Sequence, residues 1–165
     1  MYEFTKTHKY FKQLAMVVKS VSKENVRYGI NQILVDDKNI VATDGKRLAC
    51  LKTTLGLPAG RYVCVKNTKT MIQLVPVEVY GNWPKYEYIL SEPPKEDEKQ
   101  QVASGVDVEA LSITAYKIAQ HKTAANIEYL RDYMACDSFY VSEPDRPIQF
   151  YAEDFHAIIM PITVE

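Results

Sequence analysis

Two turn signals cut residues 26–52 into three short apolar segments, and this punctuation limits the fold more than any other feature. Residues 26–35 are rich in branched and aromatic side chains. Asp36-Asp37-Lys38-Asn39 reads as a turn, and residues 40–43 as a second strand. Asp44-Gly45 supplies residues that tolerate positive φ, and residues 47–52 read as a third strand. Connections this short join antiparallel neighbours; parallel strands need a long crossover. A small antiparallel sheet is therefore the first expectation.

Helical spacing appears on either side of it. In residues 5–22, Phe11, Leu14, Ala15, Val18 and Val21 fall on one face, with Thr5 or Thr7 available as a cap. After the strands, Leu57-Pro58-Ala59-Gly60 reads as a loop and residues 61–65 as a short strand. Asn67 is placed to cap a short helix through Leu74, ended by Pro76. Residues 86–90 read as extended. Residues 91–101, SEPPKEDEKQQ, carry two prolines, mixed charge and no large apolar residue, which marks a linker. A helix opened by Ser104 or Asp107 runs to about His121. Its partner begins near Asn126 and carries Ile127, Leu130 and Met134 on one face. Residues 138–141, 148–152 and 157–163 close the chain as strands. The order predicts an α+β fold, helices packed on antiparallel sheets, as a single domain over residues 1–165 with a linker or insertion around 91–125.

Charge is divided along the chain. Residues 1–82 hold 13 Lys plus Arg against 6 Asp plus Glu, a net of +7. Residues 83–165 hold 7 against 15, a net of −8. Such a split suits a basic face that meets nucleic acid, or head-to-tail association of copies. It is equally what remains when folding mixes the halves and no patch survives. Lys12, Lys19 and Lys23 cluster on one face of the first predicted helix, with Lys9 beside them. No acidic residue lies between Phe4 and Lys23. Solvated helices normally mix both signs, so this face suits a polyanion; the plainer reading is a solvated helix surface.

A catalytic constellation is not found. His8, His121 and His156 are isolated, no Gly-rich phosphate loop or nucleophile elbow is present, and Cys50, Cys64 and Cys136 form no CxxC pair. Asp36-Asp37 and Glu153-Asp154 sit where the strand pattern needs reversals, so they read as turns rather than metal ligands. The expectation is a non-enzymatic protein without cofactor or metal. No apolar run reaches membrane-spanning length, and residues 1–12 lack the apolar stretch of a secretory signal, so a cytoplasmic location is expected.

One segment is specific. Ala42-Thr43-Asp44-Gly45-Lys46-Arg47-Leu48-Ala49 resembles the ATDGHRLA signature in the middle domain of bacterial DNA sliding clamps, the DNA polymerase III beta subunits. The preceding Val26-Arg27-Tyr28-Gly29-Ile30-Asn31 is similar to the strand before that signature. Residues 63–74 resemble the strand and short helix after it, and Trp83-Pro84-Lys85-Tyr86-Glu87-Tyr88-Ile89-Leu90 is similar to the family's FPDYRRVLP segment. Residues 127–134 resemble the last helix of the third domain, and residues 157–162 its terminal VVMPM strand. The chain departs from the family in size, in Lys46 standing where the signature has His, and in residues 104–125, which have no counterpart.

The resemblance implies a clamp-like processivity or recruitment factor, in a reduced form of the phage or mobile-element type. It implies a peptide-binding pocket made by Ile30, Thr43, Gly45, Lys46, Arg47, Leu48, Ile158 and Met160, into which DNA polymerases or other clamp-binding proteins insert short motifs. Ile30, Leu48 and Ile158 also suit core strand positions. It further implies sequence-independent contact of Lys9, Lys12, Lys19 and Lys23 with double-stranded DNA; if the chain encircles DNA, that requires a homo-oligomer, a closed ring of several identical copies joined head to tail. The alternative is a monomeric adaptor or decoy that binds clamp-interacting proteins without encircling DNA.

Overall fold

The computed structural model describes residues 1–24, 28–79, 81–90, 93–105 and 107–162. They form two compact units, Met1–Tyr86 and Glu87–Glu165.

The first unit holds β1 (Tyr2–Thr5), α1 (Phe11–Lys19), β2 (Ile33–Val35), β3 (Ile40–Thr43), β4 (Arg47–Leu51), β5 (Gly60–Asn67) and β6 (Met71–Val77). Its strands lie in the order β1-β6-β5-β2-β3-β4, each pair antiparallel. Alternation sets the buried face. Ile33, Ile40, Leu51, Ile72 and Leu74 are fully buried, and α1 packs on β3, β4 and β5 with Leu14 and Val17 buried. Each such aliphatic side chain contributes about 1.5–3 kcal/mol by leaving water.

Four local readings change in this unit. The helix starts at Phe11, not Thr5, because Tyr2–Thr5 pairs as a strand with Met71–Leu74. Thr5 and Thr7 hydroxyls bond each other at 2.8 Å, and no side chain caps α1. The buried side of α1 is Leu14, Met16, Val17 and Ser20, rotated from the expected stripe, so Phe11, Ala15 and Val18 are only half-buried. Ser20 is tolerated inside because its hydroxyl donates to the Met16 carbonyl at 2.8 Å.

The strand expected over 26–35 begins only at Ile33, since Gly29 sits at φ +64° and breaks the extension. Val26 and Arg27 of that reading lie outside the described residues. Residues 67–74 contain no helix: Met71–Val77 is a strand paired with both β1 and β5. Ile72 and Leu74 alternate into the core, and this period of two outweighs the capping signal at Asn67. Pro76 fits the strand because it lies beyond the last β6 residue paired with β1, where a missing N–H costs no ladder bond.

Residues 83–86 are held against this sheet. Trp83 stacks on Arg61 of β5, and Tyr86, buried, donates its hydroxyl to Asp36 and accepts from Asn39 Nδ2 at 2.9 Å. Residues 87–89 turn rather than extend.

The second unit holds a 3-10 turn (Glu96–Glu98), β7 (Gln100–Gln101), α2 (Val108–Ala119), α3 (Ile127–Asp132), β8 (Ser138–Tyr140), β9 (Ile148–Ala152) and β10 (Phe155–Ile159). Its strand order is β10-β9-β8-β7, again antiparallel. Both helix starts are where the sequence puts them. Asp107 Oδ1 accepts from the Ala110 amide and Asn126 Oδ1 from the Glu128 amide, each at 2.9 Å. α2 packs on α3, and Tyr133, Phe139, Phe150 and Phe155 form an aromatic cluster with ring centres 5.7–6.2 Å apart. Leu130 and Met134 are buried as expected, whereas Ile127 is exposed. Glu153-Asp154 forms the turn between β9 and β10, with Asp154 at φ +53°. Ser91 and Glu92 of the linker and Thr163 of the last predicted strand lie outside the described residues.

Candidate functional site

The signature segment is the β3–β4 hairpin. Thr43 pairs with Leu48, and residues 44–47 make the reversal. Asp44 Oδ1 accepts from the amides of Lys46 and Arg47, both at 3.0 Å, which folds the turn on its own side chain. Thr43 donates its hydroxyl to the Arg47 carbonyl at 2.6 Å and accepts from the Gly45 amide at 3.1 Å. Gly45 has φ +87° and open space where a Cβ would stand, so conformation rather than crowding requires glycine.

Arg47 points inward. Its Nε donates to Asp44 Oδ2 at 3.0 Å and its Nη2 to the carbonyl of Lys19, the last residue of α1. A cation there meets the negative end of the helix as well as one of its last carbonyls. Arg47 thus locks the hairpin to the helix, and the guanidinium expected at a pocket rim is spent on the fold. Leu48 and Ile30 are buried as well. The outward groups of the hairpin are Gly45 and Lys46, both exposed, with Thr43 half-buried. In the second unit, Ile158 on β10 is buried and Met160, just past the strand, is 49% exposed. Of the eight pocket residues expected from sequence, Gly45, Lys46 and Met160 are the ones that face solvent.

The lysine set is exposed throughout. Lys12 and Lys19 are seven residues apart on α1 and share a face, Lys9 precedes the helix and Lys23 follows it. The two units also divide the charge. Met1–Tyr86 holds 14 Lys plus Arg against 6 Asp plus Glu, a net of +8; Glu87–Glu165 holds 6 against 15, a net of −9.

The acidic pair Asp36-Asp37 is a turn. Asp36 Oδ1 accepts from the Lys38 and Asn39 amides, both at 2.7 Å, and Oδ2 from the Tyr86 hydroxyl. Burial pushes this carboxyl up, but the Tyr86 and amide bonds outweigh it and leave the pKa below the ordinary value. Sequence reasoning missed Tyr86, whose partners lie 47 and 50 residues away. Cys50 is buried and its thiol is pushed up to about 12 by desolvation, so it is a poor nucleophile. No three His, Cys, Asp or Glu side chains among the described residues gather as metal ligands, and no described helix is long and apolar enough to cross a membrane.

No protein-family model matches the sequence, and no curated protein does. Solved structures do match. The chain aligns with the DNA polymerase III subunit beta of Borrelia burgdorferi, solved with a natural product, at TM-score 0.58 and 13% identity, over 100% of this chain and 65% of that one. It aligns with the DNA polymerase sliding clamp of Pseudomonas aeruginosa, solved with a ligand, at TM-score 0.60 and 17% identity, over 98% and 66%. This is the sliding-clamp fold. The Helicobacter pylori beta clamp, solved with a DNA ligase peptide, gives TM-score 0.58 and 12% identity over 98% and 66%. The chain thus covers 65–66% of the length of these three clamps. With identities this low, the likeness establishes the clamp fold.

Proposed function

We propose that this chain is a clamp-like, non-enzymatic factor of DNA replication that binds short peptide segments of polymerases or other clamp-binding proteins. The observation that carries this reading is the β3–β4 hairpin. Thr43, Asp44 and Arg47 fix its backbone internally, which leaves Gly45 and Lys46 rigidly presented to solvent. The clamp fold, in a relative solved with a ligase peptide, supports the same reading. Gly45 lets a peptide backbone approach and Lys46 attracts its acidic or polar groups; Met160, which the resemblance also implies, is an exposed and adaptable apolar side chain of the second unit. Duplex DNA is the second proposed partner, met by Lys9, Lys12, Lys19 and Lys23 without reading sequence. The opposite charges of the two units favour association of copies, basic unit to acidic unit.

The structure decides which substitutions are informative. Leu48→Asp places a charge in the core and reports on folding. Lys46→Glu and Met160→Asp change exposed side chains and leave the core intact. Fluorescence anisotropy with a labelled clamp-binding peptide should show each weakening binding by about tenfold, one good contact's worth. Unchanged affinity in both variants would remove the peptide-site assignment.

A further inference from the structure

The first unit contains two arginines that are buried to the same degree and treated differently. Arg47, 8% exposed, has a carboxylate and a helix-end carbonyl. Arg61, 7% exposed, has neither: its Nη1 is buried with no hydrogen-bond partner. Burial lowers its pKa, and no carboxylate opposes that effect.

What Arg61 does have is Trp83. The guanidinium carbon lies 4.8 Å from the ring centre. Stacking satisfies the flat face of a guanidinium, but its N–H bonds lie in the plane and point past the ring. The indole Nε1 of Trp83 is likewise buried without an acceptor. Two strong donors therefore sit on one stacked pair, and neither has an acceptor. A buried cation in that state is costly unless something pairs with it.

The surroundings restrict what that partner is. By register Arg61 lies between Leu34 on β2 and Val77 on β6, both half-buried and apolar. Trp83 covers it and is half-buried, with Asn82 and Pro84 exposed on either side, so the pair lies one side chain below the surface. A flat group with a single negative charge would neutralise the guanidinium without adding a second charge among these apolar flanks. A carboxylate is flat, singly charged and takes two parallel bonds from a guanidinium edge.

We propose that Arg61 and Trp83 form a carboxylate-binding site, filled by one acidic side chain or chain terminus of a polypeptide partner. The site is separate from the Gly45–Lys46 hairpin and does not depend on the peptide reading of that hairpin.

Trp83 is the only tryptophan in the chain, so emission excited selectively from tryptophan reports on this site alone. The full chain is titrated with sodium acetate against sodium chloride at fixed ionic strength, then with inorganic phosphate, then with a short Glu-containing peptide and its Gln counterpart. Acetate should give a saturable change that chloride does not. The Glu peptide should bind more tightly than acetate, and the Gln peptide should be silent. Arg61→Gln should weaken acetate binding at least about tenfold, as expected for losing a charge-assisted pair of bonds.

Equal responses to acetate and chloride, tighter binding of phosphate than acetate, or an unchanged Arg61→Gln titration would each overturn the site. A response to acetate with none to the Glu peptide would overturn the polypeptide partner. Should Arg61→Gln fail to fold, Trp83→Phe keeps an aromatic face over the guanidinium, on a smaller ring, and removes the indole N–H. It should then lose most of the acetate-dependent rise in melting temperature expected of the parent chain, and an equal rise would also overturn the assignment.

Discussion

The first unit sets one nine-residue helix on β1 to β6, and its turns are tied by their own side chains. The second carries two capped helices, a shorter sheet of β7 to β10 and an aromatic cluster. Their charges are opposite, +8 against −9 from the counts given above. Similar layers can therefore carry opposite charge: a basic unit attracts a polyanion, and an acidic unit repels one. The comparison also separates two ways of holding a backbone. Unit one relies on charged side chains folded back into the structure, unit two on helix caps and ring packing.

The largest effect expected from that contrast is on DNA. Replacing Lys9, Lys12, Lys19 and Lys23 together by Ala should cost on the order of 100-fold in duplex affinity at low salt. The plot of log affinity against log salt should become shallower by about 0.9 for each lysine that touches phosphate. Binding that survives unchanged would mean that α1 is a solvated face and that the charge division has another use.

Stability changes come next. Arg47→Met removes the buried guanidinium and leaves Asp44 and the Lys19 carbonyl without it. Urea denaturation should show a loss of about 3–5 kcal/mol, the range for breaking a buried pair on one side. A loss below about 1 kcal/mol would mean that the hairpin does not need its lock.

Tyr86→Phe keeps the ring and deletes one hydroxyl. It should cost about 1–2 kcal/mol at neutral pH. The sign of the pH effect follows from the lowered Asp36 pKa. Stability from this carboxylate is present above its unfolded pKa near 4 and is lost as pH falls through the lower folded value. The parent chain should thus lose more stability than Tyr86→Phe on acidification through that window, and parallel acid limbs would rule out the coupling.

The smallest effect belongs to unit two. Asp107→Ala removes the α2 cap and should cost about 1 kcal/mol. A much larger loss would show that the second unit also depends on charged side chains, and the contrast between the units would fail.

What could be read in the sequence divides along the same line. The turns at Asp36 and Asp44 and the helix starts at Asp107 and Asn126 are legible because a side chain bonds an amide two or three residues away. The misreadings involve distant partners. Tyr2–Thr5 is a strand because of Met71–Leu74, and residues 71–77 are a strand because of both neighbours. Arg47 turns inward toward a carbonyl 28 residues back. In the candidate site the signature located the hairpin but not its orientation, since Leu48 and Arg47 look equally suited to a pocket rim until α1 is packed against them.

The pairing of β1 with β6 has a consequence for synthesis. β1 leaves the ribosome well before its partner at residues 71–74, so this edge stays open until most of the first unit has been made. Such a long closure slows the last step of folding and keeps Tyr2 and Phe4 in water for that interval. A bulky group attached beside Tyr2 would hang from a strand that docks late, and would hinder the closing of the sheet more than one placed at the exposed turn between β5 and β6.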